Sequence, residues 1–311
     1  MVTNVKKYLS PVQVETKESG LPLVDCIYLI NLEKCPQKWQ RVKSICDGFG
    51  LKINRFNAIN GWKLNRRAID DLCQYDDGKD GYKFFSDQRS FSKGHLGCFL
   101  SHLSIIHDAY QRGFQVIWTM EDDVDFFQDV KILPNFISDL TRLDPEWDIF
   151  YTDLEWGGNT GSKASLDFVS SWLKTIPPGR LRPGQPRKDI AHFLQRTTFG
   201  PFVKIHYRWG THSLLFSRKG MKKIIDYFNQ YRYYVSIDID FHFIPDMREY
   251  ALQEDVTGIK KSESNTSYSP SPWKRPFRKA GTIILTLVKP FLRPIYRKWV
   301  KPLVKKYTPR R

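Results

Sequence analysis

The 311-residue sequence lacks the features that mark several classes of protein. It has no C-x-x-C pair, and its five cysteines are odd in number, so neither a structural zinc site nor a disulfide framework is indicated. No window holds the roughly 20 apolar residues that span a bilayer, and residues 1–20 lack the apolar core of a signal peptide. These absences together predict a chain with reduced thiols in the cytoplasm.

Acidic residues are absent from residues 272–311, which contain 13 Lys or Arg. The formal net charge of +16 is therefore concentrated in this tail, and the preceding 271 residues carry only about +3. Positive charge spread over a folded domain would favour nucleic acid as the partner. Because the charge lies in the tail, the partner has to be inferred from the composition of the tail. Nucleic acid is thus the less favoured partner.

The basic tail also contains apolar and aromatic residues, in short pieces at 282–288 and 290–300. Pro290, Pro294 and Pro302 prevent one continuous helix. Aromatic and aliphatic residues among Lys and Arg are typical of a segment that lies in the plane of an anionic membrane. We expect peripheral binding to the inner face of the membrane. Nucleic-acid binding and a solvated charged end are the two alternatives.

Glycine-rich phosphate loops are missing as well, since neither a P-loop nor G-x-G-x-x-G occurs. Instead, short apolar runs alternate with segments of helical periodicity, which predicts an α/β fold with a mostly parallel central sheet. Predicted strands cover 24–31, 51–58, 116–120, 147–153 and 207–217, and predicted helices cover 37–49, 98–109, 133–143 and 218–228. The predicted domain boundaries are a flexible segment at 1–20, one α/β domain at 21–262, and a linker with the basic tail at 263–311.

The most informative stretch is the apolar run Val116–Met120, which ends abruptly in acidic residues. Carboxylates this close repel one another, so a bound cation is a natural way to hold them together. Side chains alternate along a strand, so Glu121, Asp123 and Asp125 share a face if the extended form continues. The alternative is a solvated acidic turn. A second acidic group follows late in the chain and consists of Asp238 and Asp240, with His242 beside them.

Four sequence blocks, in a fixed order, resemble glycosyltransferase family 25, which includes lipopolysaccharide and procollagen galactosyltransferases. The blocks are Ile27-Tyr-Leu-Ile-Asn-Leu; Phe56-Asn-Ala-Ile-Asn-Gly; Gly94-His-Leu-Gly-Cys-Phe-Leu-Ser-His with Met120-Glu-Asp-Asp-Val; and Gly210-Thr-His-Ser-Leu-Leu-Phe-Ser-Arg-Lys-Gly. The resemblance covers about residues 26–244 and therefore the whole of the predicted core.

This resemblance implies a GT-A-like single nucleotide-sugar-binding domain, so residues 21–262 would be a glycosyltransferase catalytic domain. It implies Mn²⁺ or Mg²⁺ as the cofactor and a UDP-sugar as the donor. The reaction would move a hexose, galactose or a similar sugar, with inversion to a glycan or lipopolysaccharide-type acceptor, either a saccharide or a lipid-linked one. The cation would neutralise the donor diphosphate and stabilise the departing nucleotide.

The resemblance also assigns roles to individual residues. Glu121 and Asp123 would hold the metal, and His242 and His212 are further candidates for contact with the metal or the diphosphate. Asp240 is the first candidate for the general base that deprotonates the acceptor hydroxyl, and Asp238 is the second; the alternative roles for both are a metal ligand and a structural cap. The residues implied at the nucleotide or its phosphates are Asn31, Arg41, Gly61, Gly94, Gly97, Asp122 and His212.

The chain departs from the family pattern at His95, where the family usually has Glu, and residues 157–200 carry no family motif. Two other functions compete with glycosyl transfer. A metal-dependent phosphohydrolase would use the same carboxylates and would need two late histidine ligands, for which His212 and His242 are available. A non-catalytic, membrane-associated scaffold would keep the acids without using them. The long segment 157–199 predicts either a substrate-binding loop or a solvated one.

Overall fold

A computed structural model of the protein describes residues 5–16, 18–73, 93–154, 195–233 and 236–259. Its ten described strands form an eight-stranded sheet in the order β2-β1-β3-β8-β5-β9-β7-β6 and a two-stranded ribbon of β4 and β10. The strands are β1 Cys26–Asn31, β2 Ile53–Asn57, β3 Val116–Glu121, β4 Val124–Phe126, β5 Ile149–Tyr151, β6 Thr197–Phe199, β7 Phe202–Ile205, β8 Ser213–Ser217, β9 Glu249–Leu252 and β10 Thr257–Ile259.

The described helices alternate with these strands along most of the chain. They are α1 Pro36–Gly48, α2 Arg66–Leu72, α3 Lys93–Gln111, α4 Leu133–Leu143, α5 Arg218–Gln230 and α6 Ile237–Asp240, with 3₁₀ turns at Val5–Tyr8, Gly61–Lys63, Val130–Ile132 and Phe241–Phe243. Local chemistry sets several of their ends. Pro36 opens α1, where its missing N–H leaves no bond unmade, and the Ser217 hydroxyl caps α5 by accepting from the Gly220 amide. Helix α5 therefore begins directly where β8 ends.

The main sheet is mixed, with strands predominantly in one direction. β1 is parallel to both β2 and β3, and β5 is parallel to β9, whereas β8 runs antiparallel to β3 and β5, and β7 runs antiparallel to β6 and β9. Following these pairings across the sheet, only β7 and β8 oppose the other six strands. The predicted α/β class with a mostly parallel sheet is confirmed, and this architecture is consistent with a GT-A-like fold.

Alternating side chains divide the core between the two faces of the sheet. In β1, Tyr28 and Ile30 pack with residues of α3 and α5, whereas Ile27 and Leu29 pack with residues of α1 and α4. Because successive side chains of a strand point to opposite faces, a strand apolar at every position must be covered on both sides. The sheet is accordingly sandwiched between two layers of helices. No described helix is long and apolar enough to cross a membrane.

The predicted strands correspond to β1, β2, β3, β5 and β8 and the predicted helices to α1, α3, α4 and α5, whereas the other five described strands, α2 and α6 were not predicted. The predicted strand at 207–217 is shortened to β8, because Gly210 adopts φ 88° and interrupts the extended backbone. The chain turns at residues 122–123 before β4 begins, so the extended form does not continue beyond Glu121. The condition under which Glu121, Asp123 and Asp125 would share one strand face is therefore not met.

The N-terminal segment, expected to be flexible over 1–20, packs on the domain over most of its length. Val5 and Val12 are buried, and the amide of Ser10 donates to the hydroxyl of Ser104 in α3 at 3.0 Å. The side-chain oxygen of Asn54 accepts from two consecutive amides, those of Glu15 and Thr16. These contacts cannot be predicted from the polar composition of the segment, because its backbone groups make most of them.

Two sequence expectations fall largely outside the described residues. The basic tail lies wholly beyond them and remains a prediction. The 157–199 segment is described only from residue 195, where β6 already begins at Thr197 and pairs with β7.

Candidate active site

A cleft opens where the parallel strands β1 and β3 end at one edge of the sheet. Its volume is about 510 Å³, counting the open space at its mouth. Ligands in open α/β sheets bind outside the carboxyl ends of the strands, which is the position of this cleft. Its lining includes both apolar and acidic side chains. The lining residues are Ile30, Leu32, Ala58, Ile59, Asn60, Gly61, Trp62, Gly94, Cys98, Ser101, Glu121 and Asp122.

Glycines allow α3 to approach the 59–61 segment at its backbone. A Cβ on Gly97 would lie 2.4 Å from the carbonyl oxygen of Ile59 and 2.5 Å from the amide nitrogen of Gly61. A Cβ on Gly61 would lie 1.7 Å from the carbonyl oxygen of Lys93. The predicted pocket glycines thus divide into two groups. Gly61 and Gly94 line the cleft, while Gly97 is a packing residue behind it, inside α3 rather than before the helix.

Glu121, the last residue of β3, is held by hydrogen bonds on a single oxygen. Its Oε1 accepts from the hydroxyl of Thr211 at 2.5 Å and lies 3.2 Å from Nε2 of His102 and 3.7 Å from Sγ of Cys98. Burial opposes ionisation of Glu121, but the hydrogen bonds from His102 and Thr211 and the charge of His102 outweigh it and lower the pKa to about 2. Glu121 is therefore a carboxylate at neutral pH.

Asp122 is neutralised by protein groups. Its carboxylate accepts from Nδ2 of Asn31 at 2.7 Å and pairs with Nζ of Lys38 at 3.1 Å. Arg41 holds the same turn from outside, because its guanidinium donates to the carbonyl oxygens of Asp122 at 3.3 Å and Val124 at 2.6 Å. Asn31 and Arg41, predicted at the nucleotide, are thus placed at the acidic turn itself.

Asp123 is the carboxylate of this turn that has an oxygen without a hydrogen-bond donor. Its Oδ1 is buried and has no hydrogen-bond partner. Burial, followed by the charges of Glu121 and Asp122, raises the pKa of Asp123 from 3.8 to about 6. An orphaned carboxylate oxygen next to an ionised Glu121 fits a hard divalent cation, which would supply the missing positive charge. Glu121 and Asp123 are the residues that would hold it.

The second acidic group lies on the short α6 and its carboxylates are already engaged. Asp238 accepts from the amide of Gly210 at 2.8 Å through Oδ2 and from the amide of Ile239 at 3.1 Å through Oδ1, which also receives the hydroxyl of Ser236. Asp240 has no exposed surface. Of the two predicted general bases, only Asp238 is partly accessible, and three donors occupy its oxygens.

His242, predicted as a metal ligand, has both ring nitrogens occupied by protein groups. Nδ1 lies 2.9 Å from a carboxylate oxygen of Glu249, and Nε2 lies 2.8 Å from the amide nitrogen of Arg208. Burial would lower the pKa of His242, but the charge of Glu249 and its hydrogen bond outweigh this effect and raise it. The described geometry favours a structural role for His242 in holding the 207–212 segment.

His212 belongs to a buried charged cluster behind the acids. Its Nε2 lies 3.1 Å from Oδ1 of Asp153, and Arg208 donates to the other oxygen of Asp153 at 2.6 Å. Burial would raise the pKa of Asp153, but Arg208 and His212 outweigh it and lower the pKa. All three residues are about 1% exposed. Nδ1 of His212 has no hydrogen-bond partner, so His212 retains one nitrogen for the phosphate or metal contact predicted for it.

Sequence reasoning missed several residues that contact the predicted ones: Cys98, His102, Asp153, Arg208 and Thr211. The C-x-x-x-H spacing of Cys98 and His102 would have indicated a shared helical face, because residues four apart are neighbours on a helix. No local signal connects Thr211 with Glu121, which lies 90 residues earlier.

Comparison with known proteins gives a consistent result. The family model described as Glycosyltransferase family 25 (LPS biosynthesis protein) matches residues 24–241. The chain is similar to a glycosyltransferase 25 family member of Drosophila pseudoobscura pseudoobscura, at 27% identity over 151 residues, which are 48% of this chain and 24% of that protein.

Two vertebrate relatives carry different names. Procollagen galactosyltransferase 1 of Danio rerio is 28% identical over 148 residues, which are 46% of this chain and 23% of the relative. Inactive glycosyltransferase 25 family member 3 of Homo sapiens is 30% identical over 128 residues, which are 41% of this chain and 21% of the relative. The matched part spans about a quarter or less of each relative. Because one relative is named a transferase and another inactive, activity has to be argued from the site.

Proposed function

Because the chain belongs to glycosyltransferase family 25, with 218 residues matched by the family model, we propose that it is a metal-dependent hexosyltransferase. The donor is a UDP-sugar carrying galactose or a similar hexose, and the acceptor is a glycan or a lipid-linked saccharide of the lipopolysaccharide type. Transfer proceeds with inversion. The proposed location is the cytoplasm, at the inner face of the membrane.

The observation that carries this proposal is the cleft at the ends of β1 and β3. Its lining combines Ile59 and the partly exposed Trp62 with the carboxylate of Glu121. A nucleotide sugar has the matching chemistry, since its base is flat and largely apolar at the faces while its diphosphate requires positive charge. Glycine at 61 and 94 lets backbone rather than side chains border the ligand.

Asp123 supports the metal dependence. Its buried, unpartnered oxygen and its raised pKa of about 6 indicate a group that lacks a cation. Asp123 and Glu121 would hold a divalent cation, which would supply Lewis-acid stabilisation of the departing nucleoside diphosphate. Asn31 and Lys38 bind the carboxylate of the intervening Asp122, so Asp122 does not compete for that cation. Arg41 keeps the turn closed through two backbone carbonyl groups.

Inverting transfer also requires a group that takes the acceptor proton as the hydroxyl attacks the anomeric carbon. Asp238 is the candidate we retain, because it is partly exposed whereas Asp240 is fully buried. Burial lowers the pKa of His95 in α3, and the charges of Asp238 and Glu121 oppose that effect, so Asp238 and Glu121 act on the same histidine. The acceptor hydroxyl would have to displace one of the three donors that now occupy Asp238.

The geometry favours transfer over phosphate hydrolysis. A hydrolase built on these acids would need two late histidine ligands, and both nitrogens of His242 already contact Glu249 and Arg208. Of these two late histidines, only His212 keeps a ring nitrogen without a hydrogen-bond partner. Turnover distinguishes a non-catalytic scaffold from both enzymes, because a scaffold would bind the ligand without releasing UDP.

The proposal is tested by thermal shift of the full chain against a panel of nucleotide sugars, with Mn²⁺ or with EDTA. We expect stabilisation by at least one UDP-hexose with Mn²⁺, its loss in EDTA, and its loss in Asp123→Asn. Transfer is then measured as UDP release with saccharide and lipid-linked acceptors. Stabilisation by no nucleotide sugar in the presence of Mn²⁺ would refute the proposal, and binding without UDP release would favour the scaffold.

A further inference from the structure

One oxygen of Glu121, Oε1, makes all the contacts of its carboxylate with described residues. Thr211, His102 and Cys98 approach Oε1 at 2.5, 3.2 and 3.7 Å, and no described residue hydrogen-bonds to Oε2. The Glu121 side chain is 23% exposed and lines the cleft, whereas the His102 side chain is 0% exposed. The carboxylate therefore has a protein side, at Oε1, and a cleft side.

Helix α3 supplies two of the three contacts from one face. Cys98 and His102 are four residues apart, so both side chains project from neighbouring turns toward the end of β3. Because His102 is fully buried, its hydrogen bond to Glu121 is protected from water and fixes the carboxylate more firmly than an exposed bond would.

The third contact comes from the segment before β8. The amide of Glu121 donates to the carbonyl oxygen of His212 at 2.9 Å, which places Thr211 beside the Glu121 side chain. Gly210 enters this segment at φ 88°, and its amide donates to Asp238 at 2.8 Å. The position of Thr211 is thus determined by a turn that only glycine adopts readily and that Asp238 holds.

We propose that Cys98, His102 and Thr211 are positioning residues that fix Oε1 of Glu121 and thereby leave Oε2 as the oxygen offered to the cation. This inference rests on the proposed function, because it assumes that Glu121 binds a metal for donor recognition. It adds that the affinity for the cation depends on three side chains that do not touch the cation. Removal of such outer contacts commonly weakens metal binding about 10–100-fold.

A competing interpretation is a metal site formed by the three groups themselves. The donor atoms of Cys98, His102 and Glu121 lie within 4.8 Å of one another, and sulfur and imidazole ligands suit zinc. A metal-bound histidine, however, almost always donates its other ring N–H to an acceptor, and Nδ1 of His102 is buried without a partner. The Thr211 hydroxyl also occupies the oxygen that zinc would need.

The test compares Thr211→Val with Thr211→Ser in the full chain. Valine has the shape of threonine but no hydroxyl, while serine restores the donor. We expect Mn²⁺ affinity, measured by calorimetry in the presence of UDP, to fall about tenfold or more in Thr211→Val and to stay within about threefold in Thr211→Ser. His102→Leu and His102→Gln form a second pair, because the glutamine amide can still donate.

Crystal structures of the variants supply a readout that needs neither metal nor nucleotide. We expect a changed or multiple Glu121 conformation in Thr211→Val and the original one in Thr211→Ser. An unchanged Glu121 in both Thr211→Val and His102→Leu, or unchanged Mn²⁺ affinity in variants where Glu121 has moved, would overturn the inference. One equivalent of zinc in the purified protein that is lost in Cys98→Ser would also overturn it. If the wild-type protein binds no Mn²⁺ in the presence of UDP, the proposed function fails, and the metal role assigned to Oε2 fails with it. The crystal structures would then still decide whether the three residues position Glu121.

Discussion

Three consecutive carboxylates at the end of β3 have three different environments. Glu121 is ionised by its hydrogen bonds, with a pKa of about 2, and Asp122 is paired with Lys38 and Asn31. Asp123 is buried beside both charges and has a pKa of about 6. Three adjacent carboxylates therefore differ in the folded protein. Glu121 is a fixed anion, Asp122 is a neutralised anion, and Asp123 is an anion that lacks a counter-charge.

Asp123 should destabilise the metal-free protein at neutral pH. Its folded-state pKa lies above the ordinary 3.8, so the folded protein holds the proton more tightly and loses stability as the pH rises from about 4 through 6. The loss amounts to about 3 kcal/mol at pH 7.5, since each pKa unit corresponds to about 1.4 kcal/mol. In EDTA, Asp123→Asn should be more stable than wild type at pH 7.5 and nearly equal to it at pH 4, measured by denaturant unfolding.

The matched control for this prediction is Asp125→Asn. The Asp125 side chain is 37% exposed and makes only a 3.5 Å contact with Arg41, so the change should stay within about 0.5 kcal/mol at both pH values. Addition of Mn²⁺ should stabilise the wild type and not Asp123→Asn. A variant that is less stable than wild type at every pH would show that Asp123 is not strained by its charge.

At the scale of elements, the cleft depends on how closely α3 approaches the 59–61 segment. The amide of Ile59 donates to the hydroxyl of Ser101, and Gly97 and Gly61 leave no space between the two backbones. The apolar wall of the cleft is therefore positioned by a helix that also carries Cys98 and His102. Displacement of α3 would disturb both ends of the site together.

Gly97→Ala should open this contact. The added Cβ would meet Ile59 O at 2.4 Å, so one backbone must move, at a cost of about 1–3 kcal/mol in the free energy of unfolding and with weaker UDP-sugar binding. Gly48→Ala is the control, because nothing lies within 4 Å of a Cβ at that position in α1. The control should be neutral or more stable by up to about 1 kcal/mol. Equal stability of both variants, measured by urea unfolding, would contradict the packing role of Gly97.

The N-terminal segment should detach when Asn54 is truncated. Asn54 is 1% exposed, and its side chain accepts from the amides of Glu15 and Thr16. Asn54→Ala would leave both amides without this acceptor and cost about 1–3 kcal/mol. Hydrogen exchange at Glu15 and Thr16 should accelerate, whereas the exposed Asn57→Ala in the same strand should leave it unchanged. Unaltered exchange in Asn54→Ala would show that other contacts hold the segment.

At the scale of the whole molecule, the charge is divided between a nearly neutral domain and a basic tail. Deletion of 272–311 removes 13 of the 49 Lys and Arg residues. We expect the deleted protein to lose flotation with vesicles containing anionic lipid, because each basic residue near such a surface contributes about 1 kcal/mol. Its thermal shift with a UDP-sugar and Mn²⁺ should not change. Undiminished binding to anionic vesicles would reject the tail as the membrane-binding segment.

The order of β1, α1, β2, α3, β3, α4, β5, β8 and α5 could be predicted from apolar periodicity, and the acidic group after β3 from a strand that stops in carboxylates, whereas β4, β6, β7, β9 and β10 were not predicted. The continuation of β8 back to Tyr207 was wrong, because one glycine at positive φ ends the strand where the apolar pattern does not. The packing of residues 5–16 was missed for another reason, since backbone amides make several of those contacts and every sequence has amides.

The sequence by itself determined the family, the α/β class and the presence of acids and glycines at strand ends, since these depend on local patterns and on the order of motifs. Tertiary structure decided which acid is neutralised, which is left with a raised pKa, and which residues hold Glu121. The contact between Thr211 and Glu121 spans 90 residues and depends on the antiparallel register of β3 and β8. Such a pairing exists only after the sheet has formed, because no local pattern specifies which distant side chain will lie beside a carboxylate.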